Sequence, residues 1–183
     1  MNLIRKAEKP LHRSRDSLEE TSLGKDILFL FLKIIGIAVV FVLTFTFLYG
    51  LHQNVDESME PSLRAGDIIV YYRLNKDYVA QDVILLDYGG VRQTRRVIAV
   101  AGDTVDITEE GLVINGALQQ ERNIYQKTQR YEEGVTFPLT VGEGEVFVLA
   151  DARDNATDSR IYGTVKVQDS LGRVFTVLRR RNI

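Results

Sequence analysis

The sequence contains no cysteine and only two histidines among its 183 residues. Without cysteine there can be neither a disulfide framework nor a thiolate zinc site, and every chemistry that needs a thiol is excluded. His12 and His52 stand on either side of a long apolar segment, so we expect them to lie on opposite sides of a membrane. This separation argues against a two-histidine metal site and against a Ser-His-Asp triad.

The chain also lacks an excess of positive charge. Its 23 lysines and arginines are balanced by 25 aspartates and glutamates, which leaves a formal net charge of −2. Phosphate backbones reward a strongly basic surface, so this composition argues against a nucleic-acid partner. The length suits one globular domain with a sizeable core, together with a smaller appendage.

The most prominent feature that is present is an apolar stretch at residues 27–51. Residues 34–51 carry no charged side chain, and about 20 such residues suffice to cross a bilayer. The stretch is too long for a cleaved secretory signal, and small residues do not follow it. The alternative is a core helix, but a helix that is apolar on every face needs a larger soluble partner than the remaining chain supplies. We therefore predict a transmembrane helix at 27–51.

The basic residues around this stretch predict its orientation. Those that precede it are Arg5, Lys6, Lys9, Arg13, Arg15 and Lys25. No lysine or arginine follows it until Arg64. Because short loops rich in lysine and arginine stay in the cytosol, we predict a cytosolic N-terminal segment at 1–26 and an extracytoplasmic domain at 52–183. The chain is then a single-pass protein of the cell membrane, with the lipid bilayer as one partner.

Short runs of β-branched and aromatic residues recur after the apolar stretch. They cover residues 67–72, 82–86, 97–100, 111–116, 146–149 and 174–178. Runs of this length between turn residues are typical of antiparallel strands. We therefore predict a mainly β fold, in which one N-terminal transmembrane helix precedes an antiparallel β-sheet domain. The polar, aperiodic stretch at about 119–136 is predicted to be an insertion or long loop at the edge of the sheet.

Three blocks of sequence after the apolar stretch carry residues that could do chemistry. They are Ser58-Met59-Glu60-Pro61-Ser62-Leu63, then Arg95-Arg96-Val97-Ile98 with Gly102-Asp103, and last Asp151 to Gly163, which contains Asp158-Ser159-Arg160. In order and spacing these blocks resemble the type I signal peptidases of the Gram-positive kind, membrane-bound serine proteases that remove signal peptides from exported proteins. A lone serine could be one more hydroxyl in a loop, so the resemblance depends on the agreement of the anchor with all three blocks.

The resemblance implies a role for each matching residue. The serine before methionine is the nucleophile in that family, so this role falls on Ser58, and the general base is a lysine that begins the second block. Family positions that form a shell of ion pairs and hydrogen bonds beside the site are matched by Arg96, Asp151, Arg153, Asp158 and Arg160. The resemblance implies neither a metal nor an organic cofactor.

The sequence departs from the family at the general base, where Arg95 stands in place of lysine. A lysine can be desolvated until its neutral amine is populated near pH 7. A guanidinium would need roughly 9 kcal/mol to lose its proton at that pH. We therefore predict that Arg95 is not an efficient base and that this chain is a divergent member of the family.

Smaller departures surround the same site. Where the family has a glycine, an asparagine and a serine that helps to hold the lysine, this chain has Ala150, Ala152 and Ala156. The segment before the nucleophile often contains a glycine, but here it contains Asp56 and Glu57. A carboxylate that points toward a developing oxyanion would oppose catalysis.

Two functions remain compatible with the sequence. The first is a signal peptidase that binds an extended segment of an exported precursor against a strand edge and cleaves after small residues. The second is an inactive relative that keeps the peptide-binding surface and acts as a scaffold or chaperone in surface-protein or pilus assembly, with a pilin or another surface protein as partner. Ser58 favours the first and Arg95 the second. An amine from Lys76, Lys127 or Lys166 within hydrogen-bonding reach of Ser58 would restore an ordinary protease.

Overall fold

The computed structural model describes residues 13–121, 123–154 and 156–179. Positions 1–12 of the predicted cytosolic segment, including His12, therefore lie outside the described residues. The chain divides into two compact units, with the boundary between Phe45 and Thr46. The described part of the first is helical and that of the second is mainly β structure, and each is described by itself below.

Helix α1 (Arg13–Phe47) forms the described part of the first unit, and its last two residues fall in the second. Its part from Leu23 to Phe47 is 25 residues long, is apolar enough to cross a membrane and has exposed side chains. At 1.5 Å per residue this part measures roughly 37 Å, which exceeds the roughly 30 Å of a bilayer's hydrocarbon core. A helix with apolar side chains exposed on every face requires an apolar surrounding, as the sequence predicted.

The predicted helical span of 27–51 is wrong at its C-terminal end. The helix ends at Phe47, and Tyr49–Gln53 forms strand β1. This strand pairs antiparallel with Ile68–Tyr72 over five residues. Gly50 permits the pairing, because the ring of Tyr71 occupies the space where a Cβ at this position would stand. Long-range strand pairing therefore overrides the helical preference of the apolar run, which hydropathy alone cannot separate from a buried strand.

The second unit is built from antiparallel strands, which confirms the predicted mainly β fold. After β1 they are β2 (Ile68–Tyr72), β3 (Val83–Tyr88), β4 (Val91–Val100), β5 (Thr104–Thr108), β6 (Gly111–Ile114), β7 (Ala117–Leu118), β8 (Leu139–Thr140), β9 (Glu145–Leu149), β10 (Val165–Lys166) and β11 (Ser170–Leu178). A seven-stranded sheet has the order β1-β2-β11-β3-β4-β9-β10, and a four-stranded sheet has the order β7-β6-β5-β8. Helix α2 (Ser159–Tyr162) lies between β9 and β10, and a 3-10 turn (Val167–Asp169) precedes β11.

Each of the six runs predicted as strands contains or overlaps a strand of the structure. The predicted insertion at about 119–136 falls between β7 and β8, where the described residues form neither helix nor strand. The buried apolar side chains form three clusters. One of them joins the loop after β1 to β2 and β3, and this cluster positions the candidate site.

Candidate active site

Ser58 lies in the loop between β1 and β2, and its neighbours in sequence anchor that loop. Met59 and Leu63 are buried and pack against residues of β2 and β3. The Leu63 N–H donates to the Met59 carbonyl at 2.8 Å, so the segment makes one helical turn that points both apolar side chains inward. Burying side chains of this size contributes roughly 1.5–3 kcal/mol each. The apolar members of the Ser-Met block therefore fix Ser58 in place.

Polar contacts hold the two ends of the same loop together. The side-chain amide of Asn54 donates to the carbonyls of Asp56 at 2.8 Å and Arg64 at 3.1 Å. Its oxygen accepts the hydroxyl of Thr94, on β4, at 3.0 Å. From the third block, the Ala152 N–H donates to the Ser58 carbonyl at 2.9 Å. The three sequence blocks thus converge on one point of the fold.

Arg95 lies on β4, and its guanidinium reaches Ser58. Its Nη1 donates to the Ser58 Oγ at 2.7 Å and to the Thr94 carbonyl at 2.6 Å. Its Nε and Nη2 both donate to the Thr157 carbonyl, at 3.1 and 2.8 Å. The structure therefore brings together the residues at the nucleophile and base positions. In every one of these contacts the guanidinium donates a hydrogen bond.

Asp56 completes this arrangement, although it was not among the predicted site residues. Its Oδ1 accepts hydrogen bonds from the Ser58 hydroxyl at 2.8 Å and from the Ser58 N–H at 3.2 Å. Its Oδ2 lies 3.7 Å from Nη1 of Arg95. The inward carboxylate considered from the sequence is thus Asp56, while Glu57 is exposed. The backbone N–H of the nucleophile is the kind of group that stabilises an oxyanion in serine hydrolases. Here the Ser58 N–H donates its hydrogen bond to the Asp56 carboxylate instead.

No lysine of the described chain takes the place of the missing base. In the part of the chain that the structure describes, the Ser58 hydroxyl is hydrogen-bonded to Asp56 and Arg95. Lys76 instead donates to the carbonyls of Gln168 at 3.1 Å and Ser170 at 2.6 Å. Lys127 and Lys166 make no hydrogen bond to Ser58. The contact that would have restored an ordinary Ser-Lys protease is therefore not formed.

The five predicted supporting residues form ion pairs around this point. Arg96 binds Asp151 through two hydrogen bonds, at 2.7 and 2.5 Å, and this contact raises the pKa of the Arg96 guanidinium above its usual value. Arg160 binds Asp158 in the same bidentate way, with both hydrogen bonds at 2.9 Å. Bidentate geometry is the strong form of an arginine–carboxylate pair.

Arg153 links this shell to the polar insertion. Its Nη2 pairs with Glu121 at 2.6 Å, and it also donates to the hydroxyl of Thr128. Its Nε donates to the Ala150 carbonyl at 2.7 Å, and its own carbonyl accepts from Arg160 at 2.7 Å. The insertion is therefore not a free edge loop, because the third sequence block holds it beside the site.

A groove of about 760 Å³ opens beside Ser58, and we call it the Ser58 groove. Its walls are formed by the Ser58 loop, the start of β4, the insertion and the third sequence block. The lining residues are Asp56, Glu57, Ser58, Glu60, Pro61, Val91, Gln93, Arg95, Tyr125, Gln126, Asp151, Ala152, Asp154, Ala156 and Thr157. Strand β9 pairs with β4 only from Arg96 to Val100, whereas β3 pairs with β4 from Val91 to Arg96. One edge of β4 at residues 91–95 therefore lacks a strand partner among the described residues, next to Ser58.

Two further groove residues were missed by the sequence analysis. Gln93 is 8% exposed, and its Oε1 has no hydrogen-bond partner among the described residues. Its position two residues before Arg95 on a strand could have revealed it, because alternate residues share a face. Tyr125 is 85% exposed, and no signal in the sequence placed it at the groove. Within the described ranges, no group of three or more histidine or acidic side chains could hold a metal ion.

Comparisons with known proteins agree with the blocks found in the sequence. The family model described as "Signal peptidase, peptidase S26" matches residues 27–178. The signal peptidase I of Bacillus licheniformis is 32% identical over 155 residues, which cover 78% of this chain and 83% of that protein. The signal peptidase IB of Staphylococcus aureus is 29% identical over 163 residues, which cover 77% and 85%. A crystal structure of a signal peptidase I from Enterococcus faecalis matches with 32% identity and a TM-score of 0.45, covering 55% of this chain and 97% of that one.

Proposed function

This chain belongs to the signal peptidase family, peptidase S26, and from that premise we propose that it binds the signal-peptide region of exported precursors at the Ser58 groove, with cleavage weak or absent. The observation that carries the proposal is the 2.7 Å hydrogen bond that Arg95 donates to the Ser58 Oγ. A serine attacks a carbonyl only when a neighbouring group takes its proton. A guanidinium cannot do so near pH 7 without roughly 9 kcal/mol, and here it also engages a lone pair of the attacking oxygen.

The unpaired edge of β4 supports binding of an extended segment. Main-chain groups at residues 91–95 lack a strand partner in the described chain, and a peptide that lies along this edge would add a strand to the sheet. Such an addition supplies affinity through backbone hydrogen bonds, while side chains at alternate positions enter the groove. None of these contacts requires a working base. Binding can therefore persist where cleavage fails.

The proposal places the N-terminus in the cytosol, α1 in the cell membrane and the β domain, from about residue 52, on the extracytoplasmic side. The excess of lysine and arginine before the apolar helix supports this orientation. On that side the domain meets precursors as they leave the membrane. The biological role that suits binding without cleavage is that of a scaffold or chaperone in surface-protein or pilus assembly, with a pilin or another surface protein as partner.

A second candidate function, an active signal peptidase, is supported by Asp56. Its Oδ1 accepts a hydrogen bond from the Ser58 hydroxyl at 2.8 Å, which is within the distance required of a general base. In this mechanism the carboxylate takes the proton as Oγ bonds to the scissile carbonyl carbon, and it gives the proton to the amine as the C–N bond breaks. Water then hydrolyses the ester, which releases the second product and restores the Ser58 hydroxyl. The Asp56 carboxylate also lies 3.7 Å from Nη1 of Arg95, so it contacts the guanidinium as well as Ser58.

The experiment compares purified full-length protein in detergent with single variants on a signal-peptide substrate. We expect cleavage by the wild type to be weak or absent, and we expect Arg95→Lys to raise it because lysine can supply a neutral amine. Binding of the same peptide to the wild type, measured by fluorescence anisotropy, should be retained. Brisk wild-type cleavage that is abolished by both Ser58→Ala and Asp56→Asn would contradict the proposal and support the second candidate.

A further inference from the structure

The charged residues of the Ser58 groove are mostly acidic. Five carboxylates and one guanidinium line it. Asp56 lies beside Arg95, and Asp151 is bound by Arg96. The remaining three carboxylates (Glu57, Glu60 and Asp154) are exposed and form no ion pair with any described residue. The rim of the groove therefore carries uncompensated negative charge.

A buried polar group without a partner points independently to a ligand. Gln93 is more than nine-tenths buried in the wall of the groove, and its Oε1 accepts no hydrogen bond from the described residues. Leaving such a group unsatisfied costs about 1–3 kcal/mol. A ligand that donates an N–H group to the amide oxygen of Gln93 removes this cost. Rotation about the last side-chain torsion of Gln93 can turn either the oxygen or the nitrogen of the amide toward the ligand. A polypeptide main chain supplies such N–H groups at regular intervals.

Tyr125 adds an aromatic surface to the lining of the groove. It is 85% exposed, and the insertion that carries it is fixed by the pairing of Glu121 with Arg153 at 2.6 Å. A tyrosine ring attracts lysine and arginine side chains through its negative face. The three unpaired carboxylates supply negative charge for the same lysine and arginine side chains.

We infer that the segment bound in the Ser58 groove is an extended polypeptide that carries basic side chains. The inference rests on the proposed function and narrows its substrate class. Glu57, Glu60 and Asp154 contact the lysines or arginines of this segment, Tyr125 packs against one of them, and Gln93 hydrogen-bonds its main chain. Selection by charge is thus separate from the main-chain contacts along β4.

The test uses three fluorescent peptides of twelve residues that differ at two flanking positions. All contain the same core of small residues, and the flanking positions hold two lysines, two glutamines or two glutamates. We expect full-length protein in detergent at low salt to bind the lysine peptide about fivefold more tightly than the glutamine peptide, because exposed ion pairs are individually weak. The glutamate peptide should bind least. The preference should disappear in 1 M NaCl, where the Debye length is about 3 Å.

Two variants separate the contributions. The first removes the three exposed carboxylates of the groove: Glu57→Gln/Glu60→Gln/Asp154→Asn. It should bind the three peptides with affinities that agree within about twofold. A control that loses the same charge outside the groove, Glu109→Gln/Glu110→Gln/Glu143→Gln, should keep the wild-type preference. Gln93→Met should weaken all three peptides by about fivefold without lowering the melting temperature, since it removes an unpaired acceptor.

The outcomes distinguish this inference from the proposed function. Equal binding of the lysine and glutamine peptides to the wild type would overturn the inference and leave the proposed function standing. Failure of all three peptides to bind would overturn the proposed function, and the inference with it. A lysine preference that survives the triple substitution in the groove would also contradict the inference, because the selecting charges would then lie elsewhere.

Discussion

Two neighbouring clusters of charged residues use arginine in different ways. The nucleophile corner consists of Asp56, Ser58 and Arg95. The ion-pair shell consists of the pairs Arg96–Asp151, Arg153–Glu121 and Asp158–Arg160. In the shell each arginine meets a carboxylate at 2.5–2.9 Å, whereas in the corner the carboxylate is 3.7 Å from the guanidinium. Arg95, the arginine of the corner, instead donates hydrogen bonds to two carbonyls and to the serine hydroxyl.

This difference bears on what Arg95 can do beside Ser58. A planar, permanently charged guanidinium suits the two bidentate pairs of the shell, Arg96–Asp151 and Arg160–Asp158. In the corner the same group satisfies the carbonyls of Thr94 and Thr157, so Arg95 is well accommodated as a structural residue. Proton transfer needs a group that can exist uncharged. The fold around Ser58 is therefore retained without the group that the resemblance assigns to catalysis.

The largest loss of stability is expected from a substitution of Asp158 in the ion-pair shell. Asp158 is fully buried, and its partner Arg160 is 2% exposed. Asp158→Asn leaves the guanidinium of Arg160 buried without a countercharge, and removal of one partner of such a pair costs about 3 kcal/mol or more. The Asp158 carboxylate also accepts hydrogen bonds from the backbone N–H groups of Ala150 and Arg160. The free energy of unfolding, measured by denaturant titration in detergent, checks this expectation.

The matched control is a pair that is more exposed. Arg173 lies 3.5 Å from Asp82 and is 40% exposed, so Arg173→Gln should cost less than about 1 kcal/mol. If Asp158→Asn does not fold, the double variant Asp158→Asn/Arg160→Gln, which leaves no unpaired charge, should recover part of the loss. Equal costs for Asp158→Asn and Arg173→Gln would refute the distinction between the buried shell and surface pairs.

Most of the fold could be predicted because its strands are short β-branched runs between glycines. The family, now confirmed, singled out Ser58 and Arg95, which the structure places 2.7 Å apart; their roles stay a prediction. Strand β1 could not be predicted, because its apolar residues continue the helical run and only pairing with β2, some twenty residues later, decides their conformation. Asp56 was missed as a contact of Ser58 because its inward position depends on a local turn, in which one carboxylate accepts both the N–H and the hydroxyl two residues on.

A smaller effect is expected from rebuilding the corner. Ala156 stands where the family has a serine that helps to hold the lysine, and it directly precedes Thr157, whose carbonyl binds Arg95. We expect Arg95→Lys/Ala156→Ser to cleave a signal-peptide substrate about tenfold faster than Arg95→Lys, because a hydroxyl would orient the amine toward Ser58. Initial rates of cleavage in detergent check this prediction.

The control for rebuilding places a hydroxyl elsewhere beside the site. Arg95→Lys/Ala152→Ser should cleave no faster than Arg95→Lys, because Ala152 contacts the Ser58 carbonyl through its backbone. Addition of Ser58→Ala to the faster double variant should abolish the activity. A rate for Arg95→Lys/Ala156→Ser no higher than that of the wild type would mean that the corner has lost more than its base.

The smallest effect on stability is expected at Asp67, which binds Arg179, the residue that follows β11, beside the Ser58 loop. Arg179 donates to its carboxylate at 2.8 Å and to the Ser62 carbonyl at 3.2 Å. The hydrogen bond from Arg179 lowers the pKa of Asp67 below its usual value of 3.8. A carboxyl group whose pKa is lowered in the folded state contributes stability that is complete above the unfolded value and is lost as the pH falls through the folded value.

Arg179→Gln should therefore destabilise the protein slightly at pH 6. The difference from the wild type should shrink once the pH falls below about 4 and vanish below the lowered pKa of Asp67. Unfolding titrations of both proteins between pH 2.5 and pH 7 measure this difference. Arg73→Gln removes another exposed arginine, one that contacts the carbonyl of Tyr49, and any effect it has should not change with pH. A pH-independent difference for Arg179→Gln would show that Arg179 stabilises the loop through the Ser62 carbonyl and not through the charge of Asp67.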